Sequence, residues 1–375
     1  MKILVVVPAI TSYLFLREFC RELAEKGWDV HLAASWTSLG QFESDTSRVT
    51  FHAIEFPRGM NPISHFSAAG KLNDIVKLIR PDIIDVHFSA AAFTAALAKK
   101  AYWPPTITTV QGLRFPLASG VQAIPLKHAE CWSAKKLDAF VVLTSDDHAA
   151  MIEAGIHKCI QQEGFGFGCD LSKFDANRFT QPETDKIRYE HGINENDIVF
   201  IFIGRLVAFK GFHLVVRAFF KAYSSKKNVK FLVCGEFDSI HPSGLTEKEI
   251  AEFKTHEGVI NIGWTDKVDH FLSIADAVVF PSEREGVPVN LMEALSMGVP
   301  VITCNSRGCR EVIESSEGGI LLENRDVDSV VGAMLDIIDN PSKREQFSTA
   351  ALTYRDNFDR QNFVSGHVEL VESYL

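Results

Sequence analysis

Short, unbroken apolar runs recur along this chain with room for a helix between most of them, and that alternation restricts its fold more than any other feature. Residues 4–7, 29–33 and 83–87 read as strands, with helical stretches over 15–26 and 69–79. A second series starts at Ile198 and continues through 231–234, 259–262, 277–280 and 299–303. Strands alternating with helices form a parallel sheet covered on both faces, so two doubly wound α/β halves are expected. In 375 residues each half is large enough for its own core. Gly164-Phe-Gly166-Phe-Gly168 opens no helix and reads as the hinge, because turns needing positive φ use glycine.

Several function classes drop out early. No apolar stretch approaches the roughly twenty residues of a membrane span. Residues 1–8 are too short an apolar run for a secretory leader and lack a small-residue cleavage site, so they read as the first strand. No Gly-x-Gly-x-x-Gly turn follows Pro8, which disfavours a nicotinamide-type site there. The seven cysteines include no Cys-x-x-Cys pair, so neither a disulfide framework nor a structural zinc site is expected. A reducing cytoplasm is the expected compartment.

Charge is unevenly divided. Residues 1–176 carry 17 basic against 18 acidic side chains, and the remainder 21 against 30, so the acidity is C-terminal. Within the first half, residues 86–137 hold Lys99, Lys100, Arg114, Lys127, Lys135 and Lys136 against Glu130 alone, with Tyr102, Trp103, Phe115 and Trp132 interleaved. Such a patch suits an anionic membrane surface or a polyprenyl diphosphate. A solvated cationic face over buried aromatics is the alternative. Nucleic acid is not expected as a partner of a chain this acidic.

Two segments of the second half carry the chemistry. In Glu285-Gly-Val-Pro-Val-Asn-Leu-Met-Glu293 a strand ends, a loop turns, and Pro288 suits a first helical position; Gly298 and Pro300 stop the helix. Free amides of Val289, Asn290 and Leu291 at that helix start would face an anion such as a diphosphate. Glu285, with Gly286 beside it in the loop, is placed to accept from sugar hydroxyls, and Glu293 to take both hydroxyls of a ribose. Two solvated carboxylates on a surface helix are the plainer reading of this pair taken alone. About eighty residues earlier, Ile198-Val-Phe-Ile-Phe-Ile-Gly204-Arg205 and the following Lys210 put two cations past the carboxyl end of a buried strand, where open α/β sheets bind ligands. A planar fork and a mobile point charge suit a leaving diphosphate.

With these segments in place, the chain resembles a retaining glycosyltransferase of the GT-B fold, in glycosyltransferase family 4. The likeness covers most of the chain. It includes the Gly-Arg-loop-Lys-Gly segment, Gly263-Trp264-Thr265-Asp266, Ala275-Asp276, the paired glutamates, Gly308-Cys309-Arg310-Glu311 and the hinge-like Gly166 to Phe174 stretch. It implies two Rossmann-like domains facing a central cleft: an acceptor side over 1–170, a nucleotide-sugar side over 171–358, and a last helix over 359–375 packing back on the first. It assigns Arg205 and Lys210 to the donor diphosphate, Glu285 to the donor sugar and Glu293 to the ribose, with Thr265 and Gln111 among the substrate contacts. The Gly-Cys-Arg-Glu variant and Gln111-Gly-Leu-Arg-Phe115 look most like bacterial members that extend lipid-linked surface glycans.

The implied reaction takes a nucleotide sugar, UDP-linked by the resemblance, to a glycan or polyprenyl-diphosphate-linked acceptor at the inner face of the cell membrane. The nucleotide sugar is a co-substrate, and no cofactor or metal is called for. Asp326-Val-Asp328 looks like a metal-binding Asp-x-Asp, yet its place before a helix reads as a cap. Two departures stand out. Relatives carry His where this chain has Gln111, which positions a hydroxyl but accepts no proton. Their paired glycines after the first strand are replaced by Ala9-Ile-Thr11-Ser12. His87, ending a strand, reads as a structural histidine. Two other functions fit in part: an isomerase of the same fold acting on a UDP-N-acetylhexosamine, and a non-catalytic nucleotide-sugar-binding partner.

Overall fold

The computed structural model describes residues 1–57, 62–118 and 120–375. It divides into two compact units, Met1–Phe167 with Gln361–Leu375, and Gly168–Arg360.

In the first unit the strands are β1 (Lys2–Val6), β2 (Asp29–Ala34), β3 (Val49–Ala53), β4 (Ile83–His87), β5 (Thr106–Val110), β6 (Ala139–Val142) and β7 (Cys159–Gln161). They pair in parallel in the order β3-β2-β1-β4-β5-β6-β7. The helices between them are α1 (Arg17–Glu25), α2 (Pro62–Ile79), α3 (Ser89–Ala98), α4 (Ala123–Lys136) and α5 (Ser145–Glu153). Successive residues of β1 feed opposite cores, as a period of two requires. Ile3 and Val5 pack with Phe19 and Leu23 of α1, while Leu4 and Val6 pack with Leu72 and Val76 of α2.

The helix expected over 15–26 is a 3-10 turn (Ile10–Phe15) followed by α1, and that expected over 69–79 starts earlier, at Pro62. Strand β5 is a finding beyond the sequence reading. Its residues Thr-Ile-Thr-Thr-Val are all buried although three are polar, because threonine is β-branched and Thr106 and Thr108 donate their hydroxyls to the carbonyls of Pro104 and Val86.

The second unit holds α6 (Gln181–Glu190), β8 (Ile198–Ile203), α7 (Phe212–Ser225), β9 (Val229–Cys234), α8 (Glu247–Thr255), β10 (Val259–Gly263), α9 (Val268–Leu272), β11 (Ala277–Phe280), α10 (Val289–Ser296), β12 (Val301–Cys304), α11 (Cys309–Ser316), β13 (Gly319–Leu322), α12 (Val327–Asp339) and α13 (Pro341–Tyr354). Its strands run parallel in the order β10-β9-β8-β11-β12-β13. Helix α14 (Arg360–Glu372) closes the chain and places Phe363, Val364, Val368 and Val371 in the same core as α1.

In each unit the first strand lies between the second and the fourth, so the winding reverses beside it. The crevice at the carboxyl ends of those strands, between β1 and β4 and between β8 and β11, is where open α/β sheets take ligands. At the start of the second unit, Gly168 has φ +63° and a Cβ there would sit 2.5 Å from the Arg360 Cα. Glycine is therefore required. The Cys169 amide donates to the Phe358 carbonyl at 2.7 Å and the Arg360 amide to the Cys169 carbonyl at 2.9 Å. Among the described residues no helix is long and apolar enough to cross a membrane.

Candidate active site

The loops after β8 and β11 are stitched together before any ligand is considered. Gly211, φ +79°, ends the 3-10 turn Ala208–Lys210, and a Cβ there would lie 2.3 Å from the Pro281 carbonyl oxygen. Only glycine lets the two loops meet. The Arg325 guanidinium then donates to three backbone carbonyls, those of Pro281 (3.0 Å), Ala208 (2.7 Å) and Phe209 (3.3 Å). A charged fork shared among carbonyls holds both loops at one height above the sheet.

That stitching brings Lys210 and Glu285 into an ion pair, Nζ to Oε1 2.7 Å, with each side chain 16% exposed. The Ser282 hydroxyl donates to the same Oε1 at 2.8 Å, and Lys210 Nζ lies 4.8 Å from the centre of the Phe280 ring. Glu285 is further held through its backbone, its carbonyl accepting from Arg307 Nε at 3.2 Å. The half-exposed Arg205 donates one N–H to Asp238 at 2.7 Å and lies over the Phe209 ring at 5.5 Å. A guanidinium has five N–H donors, so four remain for a ligand. The amides of Ile240 and His241 and the Arg205 guanidinium hold the Asp238 carboxyl far below the usual carboxylate range. Asp238, Ser282, Arg307 and Arg325 escaped the sequence reading because nothing local marks them.

Helix α10 differs in detail from expectation. Pro288 is the residue before the first turn, not its first helical position. The Leu291 amide donates back to the Pro288 carbonyl at 3.2 Å, which leaves Val289 and Asn290 as the outward amides of the expected trio. A helix tightening into a 3-10 start consumes one of its orphan donors. The Asn290 side chain donates to the Ile203 carbonyl at 3.0 Å and ties α10 to the end of β8. Gly286 is crowded from behind, since a Cβ on Gly308 would fall 2.0 Å from the Gly286 carbonyl oxygen. Gly308 keeps that loop close to α11.

Glu293 lies one turn into α10, and none of the described residues forms a hydrogen bond or ion pair with its carboxylate. Burial raises its carboxyl from 4.5 to about 7, partly offset by the positive charges of Lys173 and Arg360. A carboxyl poised near neutrality is a common mark of a functional site. Thr265 is placed differently. It follows β10, the edge strand two places from β8, and its hydroxyl accepts from the Lys267 amide at 3.0 Å, so it closes a turn. Asp326 caps α12 by accepting from the Ser329 amide at 2.8 Å, the role its position predicts.

Gln111 belongs to the first unit. It follows β5 and its side-chain nitrogen is 3.1 Å from His87 Nδ1. His87 Nε2 in turn meets Asp85 Oδ2 at 2.9 Å, and His367 Nε2 of α14 meets the same oxygen at 2.8 Å. The donor atoms of Asp85, His87 and His367 lie within 4.8 Å of one another, all three buried, a grouping that in principle could hold a metal. Their short N–O separations are those of hydrogen bonds.

The basic stretch 86–137 is also rearranged. Trp103 and Phe115 are buried in the cores. Glu130, its lone acid, is buried too and accepts from the amides of Arg114 and Phe115 and from Ser89; burial raises its carboxyl against those bonds. The large apolar side chains exposed on the same unit include Ile63, Phe66, Val121 and Ile124.

Residues 183–353 match the family model described as glycosyl transferases group 1, and residues 14–158 match the glycosyl transferase 4-like domain. The chain is 25% identical over 358 residues to the capsular polysaccharide biosynthesis glycosyltransferase CapM of Staphylococcus aureus, covering 92% of this chain and 89% of that one. It is 24% identical over 332 residues to the UDP-Gal:alpha-D-GlcNAc-diphosphoundecaprenol alpha-1,3-galactosyltransferase of Escherichia coli, covering 87% and 84%. Among solved structures, that of Anabaena Alr3699/HepE in complex with UDP matches with a TM-score of 0.80 at 16% identity, covering 100% of both chains.

Proposed function

This chain is a GT-B glycosyltransferase that joins a 4-like domain to a group 1 domain, and from that premise we propose that it moves a sugar from a UDP-sugar, with retention, to a glycan or lipid-linked glycan acceptor of a surface polysaccharide. The observation that carries this reading is the Lys210–Glu285 pair beside the half-exposed Arg205, at the point where the second sheet reverses its winding. The relatives' names point the same way: one Escherichia coli relative takes UDP-Gal and a diphosphoundecaprenol acceptor, and a fold neighbour was solved with UDP-glucose.

In this reading a donor diphosphate draws Lys210 from Glu285 and adds to the N–H donors of Arg205. Glu285, still held by Ser282, is then free to accept from hydroxyls of the sugar. The Val289 and Asn290 amides face the diphosphate with the helix dipole behind them. Glu293 takes the ribose hydroxyls in its ionised form. Retention follows from a same-face displacement in which the leaving phosphate oxygen accepts the proton of the incoming hydroxyl. Cations and amides aimed at the departing diphosphate stabilise charge that grows in the transition state, about 10²–10³ in rate for one such donor.

The test is a thermal-shift comparison of UDP, GDP and ADP at matched concentrations, followed by sugar release from UDP-sugars without acceptor. A ligand at 100 times its Kd stabilises by about 2.7 kcal/mol. UDP should give the largest shift, and at least one UDP-sugar should be slowly hydrolysed. A larger shift with GDP would overturn the nucleotide, and binding without any hydrolysis would turn the reading toward a non-catalytic partner.

We also propose that the first unit touches an anionic membrane at the cytoplasmic face. The exposed Ile63, Phe66, Val121 and Ile124, together with the lysines of α4, support it.

A further inference from the structure

We propose that Asp85 and His87 are positioning residues that fix the direction of the Gln111 amide, leaving its carbonyl oxygen as the acceptor for a substrate hydroxyl. The inference rests on the proposed transferase function and on Gln111 being among its substrate contacts, as the resemblance implies, and adds what that residue reads and what orients it.

The direction follows from proton bookkeeping along one hydrogen-bonded chain. Asp85 is fully buried, and its Oδ2 meets both imidazoles, His87 at 2.9 Å and His367 at 2.8 Å. Burial alone would raise this carboxyl, but the two histidines outweigh it and hold it below the usual range, so the group is a carboxylate that only accepts. His87 Nε2 must then carry a proton. The Gln111 atom that faces His87 Nδ1 is the amide nitrogen, which only donates, so Nδ1 is bare; burial, which lowers the pKa of His87, favours the same neutral ring. A bare Nδ1 can only accept, which holds the NH2 group toward His87 at 3.1 Å and turns Oε1 elsewhere.

Oε1 lacks a partner, as does Asp85 Oδ1 further along the chain. Oε1 is buried and takes no hydrogen bond from the described residues, and neither does Thr109 Oγ1. Thr109 lies in β5 and pairs with His87 in the sheet register, and Gln111 follows the end of that strand. Leaving a buried polar atom unsatisfied is costly, so such an atom marks a place where a polar partner belongs. The partner must donate to Oε1, which a sugar hydroxyl does. At the far end the chain is held still: the His367 ring lies 4.8 Å from Phe19 and 5.2 Å from Phe363. A histidine at position 111 would change that readout, since a ring accepting a proton from its ligand cannot also take a fixed direction from the bare Nδ1 of His87.

Two measurements on the full chain test this. Nitrogen-15 NMR of the histidine rings should find His87 protonated on Nε2 and bare on Nδ1, and Asp85→Asn should shift its proton toward Nδ1. Sugar release from UDP-galactose or UDP-glucose should fall about tenfold in kcat in both Asp85→Asn and Gln111→Ala, the loss expected for one hydrogen bond, with UDP affinity unchanged. His87→Gln serves as the second variant should Asp85→Asn not fold, with the same expected loss. A wild-type His87 protonated on Nδ1 overturns the proposal. Full turnover in both the Asp85 and His87 variants beside an impaired Gln111→Ala also overturns it, while the reading of Gln111 survives. A silent Gln111→Ala beside an impaired Arg205→Ala removes Gln111 from the site and this proposal with it, and leaves the nucleotide assignment intact. No release from either donor by the wild type removes both.

Discussion

The two halves of this chain use one sheet topology and solve the same electrostatic problem in opposite ways. Each holds a carboxylate near the carboxyl end of its fourth strand. In the first unit Asp85 is sealed in and met by two imidazoles. In the second, Glu285 is met by a full cation, Lys210, and a hydroxyl, and both ionic side chains keep some exposure. A buried carboxylate given fixed partners makes an orienting element that stays put. A carboxylate paired with a mobile ammonium makes a site that can open: in the proposed function a diphosphate offers the lysine a better partner at the moment the sugar hydroxyls arrive. The same fold thus supports a rigid end and an exchangeable one.

The sharpest way to break this comparison is to remove the exchangeable cation. Lys210→Ala should lower turnover by about two to three powers of ten through lost stabilisation of the leaving diphosphate, and Arg205→Ala by about one to two. Steady-state kinetics with a UDP-sugar checks both. Near-wild-type kcat in Lys210→Ala would mean that the ion pair is architectural.

Next in size is the rigid end. Asp85→Ala strips two buried imidazoles of their acceptor and should destabilise the protein by about 2–3 kcal/mol, since each unsatisfied donor costs about 1–3. Denaturant unfolding measures it. A loss below about 0.5 kcal/mol would show that this end is not held by the carboxylate.

A smaller effect should appear in pH. Glu293 is raised in the free protein from 4.5 to about 7 by burial, and in the proposed role its ionised form, with both oxygens free to accept, binds the two ribose hydroxyls better than the protonated form. The folded chain therefore binds a proton there that the unfolded chain releases at lower pH, and stability is lost as pH rises from 4.5 toward 7. Affinity has the opposite sign. Binding of UDP-glucose, whose phosphates do not titrate near neutrality, should strengthen severalfold as pH climbs through about 7 and level off above it. Calorimetry across that range, with Glu293→Gln expected flat, checks the assignment. An equally steep profile in the variant would move the titration to another group.

The smallest expected effect is membrane contact. Each lysine near an anionic surface contributes about 1 kcal/mol at most, and screening acts within roughly 8 Å at physiological salt. Co-sedimentation with anionic liposomes should be weak, salt-reversible and reduced by Ile124→Ser or by Lys135→Glu/Lys136→Glu. Equal binding to neutral liposomes would leave a transferase whose acceptor comes to it.

Much of the second unit was legible residue by residue. Its strands β8 and β11 are unbroken apolar runs buried on both faces, and such runs announce themselves. In the first unit β5 did not, because three threonines disguise a buried strand until their hydroxyls have carbonyls to meet. The pairings at the sites were hidden for another reason. Lys210 meets Glu285 across 75 residues, Arg205 meets Asp238 across 33, and Asp85 meets His367 across 282.

The sequence by itself determined the two doubly wound halves and the loops that carry their charges, because apolar periodicity, glycine at strand ends and proline before helices act over a few neighbours. Only the tertiary structure decided what each charge touches. Gly211 against Pro281 and Arg325 across three carbonyls bring Lys210 to Glu285, and burial moves Glu293 to neutrality. Proximity and desolvation are properties of the packed chain, and neither leaves a local trace in the order of its residues.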